Sequence, residues 1–177
     1  MGKVNEINLV IPTIAYKTAI EQYRKDFDHQ VIEGSSQLFL IPSVEEWLDY
    51  LENQKAGVNL PSGWVRSLQF LAVDSTTNQL VGMVNIRLSL NDYLLNYGGH
   101  IGYSVSPHHR QKGYGTKILQ LALQEAAKHD LSSVLVTCKA DNIGSIKVIK
   151  NNQGILEDQR YEPKQKVMFN RYWISTK

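Results

Sequence analysis

One unbroken stretch, IGYSVSPHHRQKGYGTKILQLAL from Ile101 to Leu123, limits the chain more than any other. His100–Val105 reads as a strand that runs into Pro107, where the missing amide proton and fixed φ end strand pairing. A polar turn with Gly113 and Gly115 follows. Gly115–Lys128 then reads as a strong helix, with Ile118, Leu119, Ala122 and Ala126 at helical spacing. Leu121 and Leu123 widen its apolar face. The apolar run Val134–Cys138 supplies a buried strand to which the helix returns. A strand, glycine turn, helix and strand in this order require a sheet with a helix layered on it.

The turn itself suggests chemistry. Gly113 and Gly115 let the backbone bend tightly and approach a ligand closely. The amides of Gln111–Thr116 fall at the helix N-terminus, where unpaired N–H groups and the helix dipole together attract a phosphate. Arg110 and Lys112 add positive charge at the same place. The spacing suits an ordinary tight turn with a solvated basic edge equally well. A P-loop is excluded because GxxxxGK[ST] is absent, and a dinucleotide fingerprint because GxGxxG is absent.

The rest of the chain fits around this unit. Ile7–Ile11 reads as a strand closed by Pro12, and Ile14–Phe27 as a helix with Thr13 at its N-cap. Asp28–Pro42 is irregular. Ser43 and Glu46 stand at capping-box spacing and open a helix in which Trp47, Leu48 and Leu51 share a face. Ser67–Val73 and Leu80–Leu88 form a hairpin around Asp74–Asn78. In its second strand Val84, Ile86 and Leu88 alternate with Asn85 and Arg87. Asn91–Gly99 is a loop, and Ile143–Asn152 a helix ending at Gly154. Ile155–Tyr161 and Val167–Ile174 close the chain as an antiparallel pair. The expected fold is mixed α/β (α+β): a mostly antiparallel sheet with one parallel strand–helix–strand crossover.

Composition removes several function classes. A chain of 177 residues suits a single domain, here 1–177, with 1–64 a variable N-terminal part and 65–177 the core. A formal net charge of +2, with Lys and Arg dispersed, gives no reason to expect nucleic acid or anionic lipid as a partner. No apolar stretch approaches the ~18 residues needed to span a membrane. The start, MGKVNE, lacks the apolar core of a signal peptide, and Glu6 breaks the myristoylation pattern. The single cysteine, Cys138, sits in an apolar run and reads as a buried hydrophobe. The cytoplasm is the expected location.

Arg110-Gln111-Lys112-Gly113-Tyr114-Gly115 resembles the [RQ]xxGx[GA] signature of the GCN5-related N-acetyltransferase (GNAT) family. It follows a strand ending Tyr103-Ser104-Val105 and precedes a long helix, as in that family. Asn142, Ser145 and Gly154 resemble the family's next motif. The resemblance covers most of Val65–Lys177. NIRLSLND (Asn85–Asp92) and GGHIGYSV (Gly98–Val105) are similar to a bacterial group of uncharacterised acetyltransferases.

This resemblance implies a GNAT-like sheet, splayed at the cofactor site, and acetyl-CoA as co-substrate with no metal. The pyrophosphate would rest on Arg110, Gln111, Lys112, Gly113, Tyr114, Gly115 and Thr116. The pantetheine arm would lie where His100–Val105 splays from Val134–Cys138, touching Tyr103 and Asn142. The Val105 N–H would face the thioester carbonyl. Asn142 has a second and compatible role, capping the helix that follows it. A primary amine on a small molecule or peptide would attack directly. A protein Lys or α-amine, or a CoA-binding module without turnover, are the rival readings. A homodimer is left open.

The resemblance puts the proton acceptor on the fourth strand, at His100 or Gly99 according to register, with Asp92 as another candidate. His100 as a strand residue bonded to structure or solvent is an equally good reading. The family's frequent acid, a Tyr seven residues after Asn142, is Ile149 here. Tyr161 and Tyr172 are spatial substitutes to test. Asn85 and Arg87 share a strand face and are candidates for an acceptor pocket, against a solvated sheet face. Trp47, Trp64, Tyr93 and Tyr97 either shape that pocket or pack irregular segments. His108 and His109 lack a third metal ligand at sensible spacing and read as solvent-exposed.

Overall fold

A computed structural model describes residues 5–177; the first residues of MGKVNE lie outside them. The elements run β1 (Ile7–Val10), α1 (Lys17–Asp26), α2 (Val44–Ala56), β2 (Ser67–Asp74), β3 (Leu80–Arg87), β4 (Ile101–Val105), α3 (Tyr114–Lys128), β5 (Ser133–Lys139), α4 (Ile143–Asn151), β6 (Ile155–Glu162) and β7 (Val167–Ser175). One sheet has the order β1-β2-β3-β4 and the other β5-β7-β6, with every ladder antiparallel.

The two sheets meet at one place. The His100 N–H donates to Leu135 O over 2.7 Å, and the Leu135 N–H donates back to the His100 ring Nδ1 over 2.9 Å. Beyond this point β4 and β5 part, although α3 joins them as the expected crossover. The sheet is therefore split between β4 and β5.

Alternation in β2 and β3 builds a core on each face. Ala72, Val84 and Ile86 pack with Ile118, Leu119 and Ala122 of α3 and with Ile149 of α4. Leu71, Val73 and Met83 point the other way and pack with Ile20, Tyr23, Leu38 and Trp47. Burying a large apolar side chain stabilises by about 1.5–3 kcal/mol, so both helical layers are held firmly.

Local chemistry sets most boundaries. The Ser43 hydroxyl accepts the Glu46 N–H at 3.1 Å and starts α2. The expected first helix is divided: Ile14–Tyr16 is a 3-10 turn, α1 starts at Lys17, and Thr13 makes no side-chain cap bond. The expected loop Asn91–Gly99 contains a wide helical turn, Leu94–Gly98. That turn is pinned by Arg171 Nε donating to Leu95 O and by Thr137 Oγ1 donating to Tyr97 O.

The irregular segment after α1 folds back over β4. A Cβ on Gly34 would lie 2.4 Å from Gly102 O and 2.6 Å from Tyr103 Cα, and Gly34 has φ +69°. Only glycine permits that contact. Nearby, Trp47 Nε1 donates to Ser35 O, and Gln69 Nε2 to Gly34 O.

Candidate active site

A cavity of about 860 Å³ opens where β4 and β5 part. Its walls come from β4 (Tyr103, Ser104, Val105), from the turn and start of α3 (Arg110, Gln111, Gly113–Thr116), and from the start of α4 (Asn142, Gly144, Ser145). Of the turn residues singled out from the sequence, Lys112 alone does not line it.

The turn has the geometry of an anion cradle. Gln111 has φ +60° and Gly113 φ +85°, so the chain twists through the left-handed region before α3 begins. No side chain caps α3. Among the described residues, the Gln111–Thr116 amides donate to no protein acceptor outside regular structure. Tyr114 anchors the turn from below, its hydroxyl donating to Asp74 Oδ2 at 2.9 Å. Asp74 is buried in the β2–β3 turn, and its carboxyl is held down to about 2, first by a hydrogen bond from Asn5 and also by Thr77, Tyr114 and Thr76. Arg110 lies 5.6 Å over the Phe27 ring and donates from Nε to Val105 O at 3.3 Å.

The groove above the turn is lined by backbone. The Arg87 N–H to His100 O and Ser106 N–H to Val81 O bonds fix the alternation of β4. Tyr103 and Val105 therefore turn their own N–H and C=O away from β3 and toward the opening. The Tyr103 hydroxyl is buried with no hydrogen-bond partner among the described residues. Burial pushes it up to about 12, so it keeps its proton at neutral pH. The Ser145 side chain lies near it and opposes part of that rise, and the hydroxyl stands as a donor at the cavity wall. Asn142 uses Oδ1 to accept the Ser145 N–H at 3.1 Å, and this caps α4. Its Nδ2 donates to no acceptor among the described residues.

A second cavity, of about 520 Å³, adjoins the first. Val31 and Glu33 line both. Asn85 and Arg87 are walls of this space rather than part of a solvated sheet face, and Trp64 and Tyr93 join them. Trp47 is fully buried in the core, and Tyr97 is half-buried against Phe169, outside both cavities. Sequence reasoning missed Glu33. It sits in the irregular segment with no motif around it, and only the Gly34 contact with β4 brings it to the opening.

The two candidate bases lie outside both cavities. His100 is 6 % exposed and lines neither cavity. Its Nδ1 accepts the Leu135 N–H, so in the neutral ring Nε2 carries the proton and no lone pair remains for a substrate. Burial first, and then the Arg87 charge, lower its pKa to about 4. The geometry therefore favours the reading of His100 bonded to structure. Asp92 is exposed on the surface of its loop and also lines neither cavity.

The other hydroxyl and thiol candidates lie away from the opening. Tyr172 is buried and accepts from Asn170, whereas Tyr161 is exposed, and neither lines a cavity. Ile149 is fully buried. Burial raises the Cys138 thiol to about 11, which leaves it unreactive. His108 lies 3.4 Å from Asp26, and His109 bonds Gln79. Among the described residues no helix is long and apolar enough to cross a membrane.

Comparison with known proteins gives a consistent result. The family model described as Acetyltransferase (GNAT) family matches residues 28–155. No curated protein sequence matches the chain. Among solved structures it is similar to the acetyltransferase (GNAT family) from Bacillus anthracis, with TM-score 0.67, 17% identity, and coverage of 98% of this chain and 97% of that one. It is also similar to yncA from Salmonella typhimurium, solved with its cofactor acetyl-CoA, with TM-score 0.62, 14% identity, and coverage of 98% and 95%. A spermidine N-acetyltransferase chimera from Vibrio cholerae and hSSAT gives TM-score 0.65, 13% identity, and coverage of 96% and 95%. Identities this low speak for the fold alone, but the family match spans well over half of the sequence and includes both the split strands and the glycine turn. The chain belongs to the GNAT acetyltransferase family and is an acetyl-CoA-dependent acyltransferase.

Proposed function

We propose that this enzyme acetylates the primary amine of a small molecule or peptide, with acetyl-CoA in the larger cavity and the acceptor in the smaller. The observation that carries this reading is the junction: the two cavities share Val31 and Glu33 beside β4. An acceptor reaching the junction from one side meets the thioester arriving from the other.

The residues fit acetyl-CoA. The free amides of Gln111–Thr116, with Arg110, are donors for the diphosphate. The outward amide and carbonyl groups of Tyr103 and Val105 suit the amides of the pantetheine arm, in the manner of an added strand. The Tyr103 hydroxyl and Asn142 Nδ2 are further donors along the same wall. Acetyl-CoA supplies an activated acyl carbon.

The chain's part is positioning and proton handling. An N–C bond forms as the C–S bond breaks, and the acceptor must first lose a proton, because an alkylammonium of pKa about 10 is not a nucleophile. Glu33 is the carboxylate at the junction, and we assign it the proton, directly or through water, in preference to His100 or Asp92. The second proton leaves the nitrogen after attack and neutralises the departing thiolate, with solvent as the carrier.

The test is turnover of acetyl-CoA with a panel of primary amines, read as CoA thiol release and product mass. Amine-dependent release is expected. Glu33→Gln should lower kcat by roughly 10²-fold while leaving acetyl-CoA affinity unchanged. Binding of acetyl-CoA without product from any amine would instead identify a non-catalytic CoA-binding module.

A further inference from the structure

The smaller cavity contains one cation and one anion that do not meet. Among the described residues, Arg87 is the sole basic residue lining it, and Glu33 the sole acidic one. No ion pair joins them among the described residues. Arg87 is half-buried as a residue with its charged end turned inward, and among the described residues its bonds run from Nη1 to two carbonyls, Gly98 O at 3.2 Å and Gly99 O at 3.4 Å. It lies over Gly102, where a Cβ would stand 3.4 Å from Nη1 and 3.5 Å from Nη2. Burial pulls its pKa down, opposed only by Glu33. A guanidinium held by carbonyl dipoles, with Nη2 and Nε left over, is a fork suited to a carboxylate.

Four aromatic residues, Phe39, Tyr50, Trp64 and Tyr93, line the same space, together with polar side chains such as Gln37, Gln54 and Asn91. Trp64 is 44 % exposed and Tyr93 47 %, so their faces are available. The aromatic part of the wall suits an apolar or aromatic group.

Resting on the transfer reading above, we infer that the acceptor is an amino acid with an apolar side chain. Its carboxylate lies on Arg87, its amine points to Glu33 at the junction, and its side chain rests on the aromatic wall. The separated charges of the cavity match the separated charges of a zwitterion. A polyamine has no carboxylate to pair with Arg87 and would bring a further cation beside it, so a polyamine is disfavoured. Arg87 is then the residue that determines specificity.

The test compares L-phenylalanine, 2-phenylethylamine and spermidine as acceptors for the full chain, by CoA thiol release. The first two share an amine and a ring, and differ in the carboxylate. The wild type should prefer phenylalanine by roughly 10²-fold in kcat/KM, with spermidine poorest, because a buried charged site discriminates strongly against an analogue that leaves it unpaired. Arg87→Met should collapse the phenylalanine to phenylethylamine ratio toward one, and Arg87→Lys should restore part of it. If Arg87→Met fails to fold, the wild-type ratio and the Lys variant still decide the matter. Equal use of the two acceptors by the wild type, or better use of phenylethylamine or spermidine, overturns the inference but not the transfer reading. No product from any of the three, nor from the wider amine panel, overturns both.

Discussion

The two cavities are neighbours built on opposite plans. The larger is built chiefly on one run of chain, namely β4, the Arg110–Gly113 turn and the first residues of α3, with α4 closing one side and Phe27, Val31 and Glu33 another. The smaller is lined by side chains that arrive from three distant places, around residues 31–39, 50–67 and 85–94. Backbone groups are the same in any sequence that can make the turn, so the first plan fixes a cofactor and tolerates drift. Side chains on a mobile class of element can be exchanged singly, so the second plan lets the acceptor vary while the chemistry stays.

The largest effect that would break this division is at Gly113. Gly113→Val forces a β-branched residue to φ +85° at the mouth of the amide cradle. Acetyl-CoA affinity should fall by about 10³-fold, or about 4 kcal/mol, by calorimetry, with the circular dichroism spectrum unchanged. Retained affinity would show that the cradle is not used.

The next is at Gly34, which seats the acceptor segment on β4. Gly34→Ala puts a Cβ into Gly102 O and Tyr103 Cα. Chemical denaturation should show a loss of about 3 kcal/mol. The acceptor KM should rise more than that for acetyl-CoA. An equal rise in both would mean that the two cavities share their support.

A smaller effect concerns His100, which joins the two sheets. Its pKa is about 4 in the folded chain against an ordinary 6.5. Between these values the unfolded chain binds a proton that the folded chain does not. Stability is therefore full above about pH 6.5 and declines as pH falls toward 4, by about 2–3 kcal/mol in all. His100→Asn keeps an acceptor for the Leu135 N–H and removes the titration, so its denaturation midpoint should depend less on pH over that range. An unchanged pH dependence would detach the effect from His100.

How much of this was readable in advance follows from the same contrast. The strand, glycine turn and helix of Ile101–Leu123 lie together in sequence, so their periodicity and the amides they expose were legible without tertiary knowledge. The smaller cavity was not, because Glu33 reaches it only through the Gly34–Gly102 contact across the fold. Arg87 was visible as a face partner of Asn85, yet whether that face meets solvent depends on what covers it, and periodicity is silent on this. His100 looked catalytic because a strand pattern reveals the residue but not the Leu135 amide that occupies its ring. The split between β4 and β5 was expected from the family resemblance, and the single bonded contact that ends their pairing was not.

The smallest predicted change is at Tyr103. Tyr103→Phe removes a buried hydroxyl with no close hydrogen-bond partner among the described residues, so stability should stay within about 1 kcal/mol. The KM for acetyl-CoA should increase several-fold if that hydroxyl binds the pantetheine arm. An unchanged KM would place the arm elsewhere in the groove.

The most direct test of the two-cavity account is an amide NMR titration of the full chain with CoA. The account predicts that the amides of Gln111–Thr116, together with those of Tyr103 and Val105, shift most, while those of Tyr50, Trp64 and Tyr93 hold their positions. Shifts centred on Tyr50, Trp64 and Tyr93, with the Gln111–Thr116 amides unmoved, would contradict it.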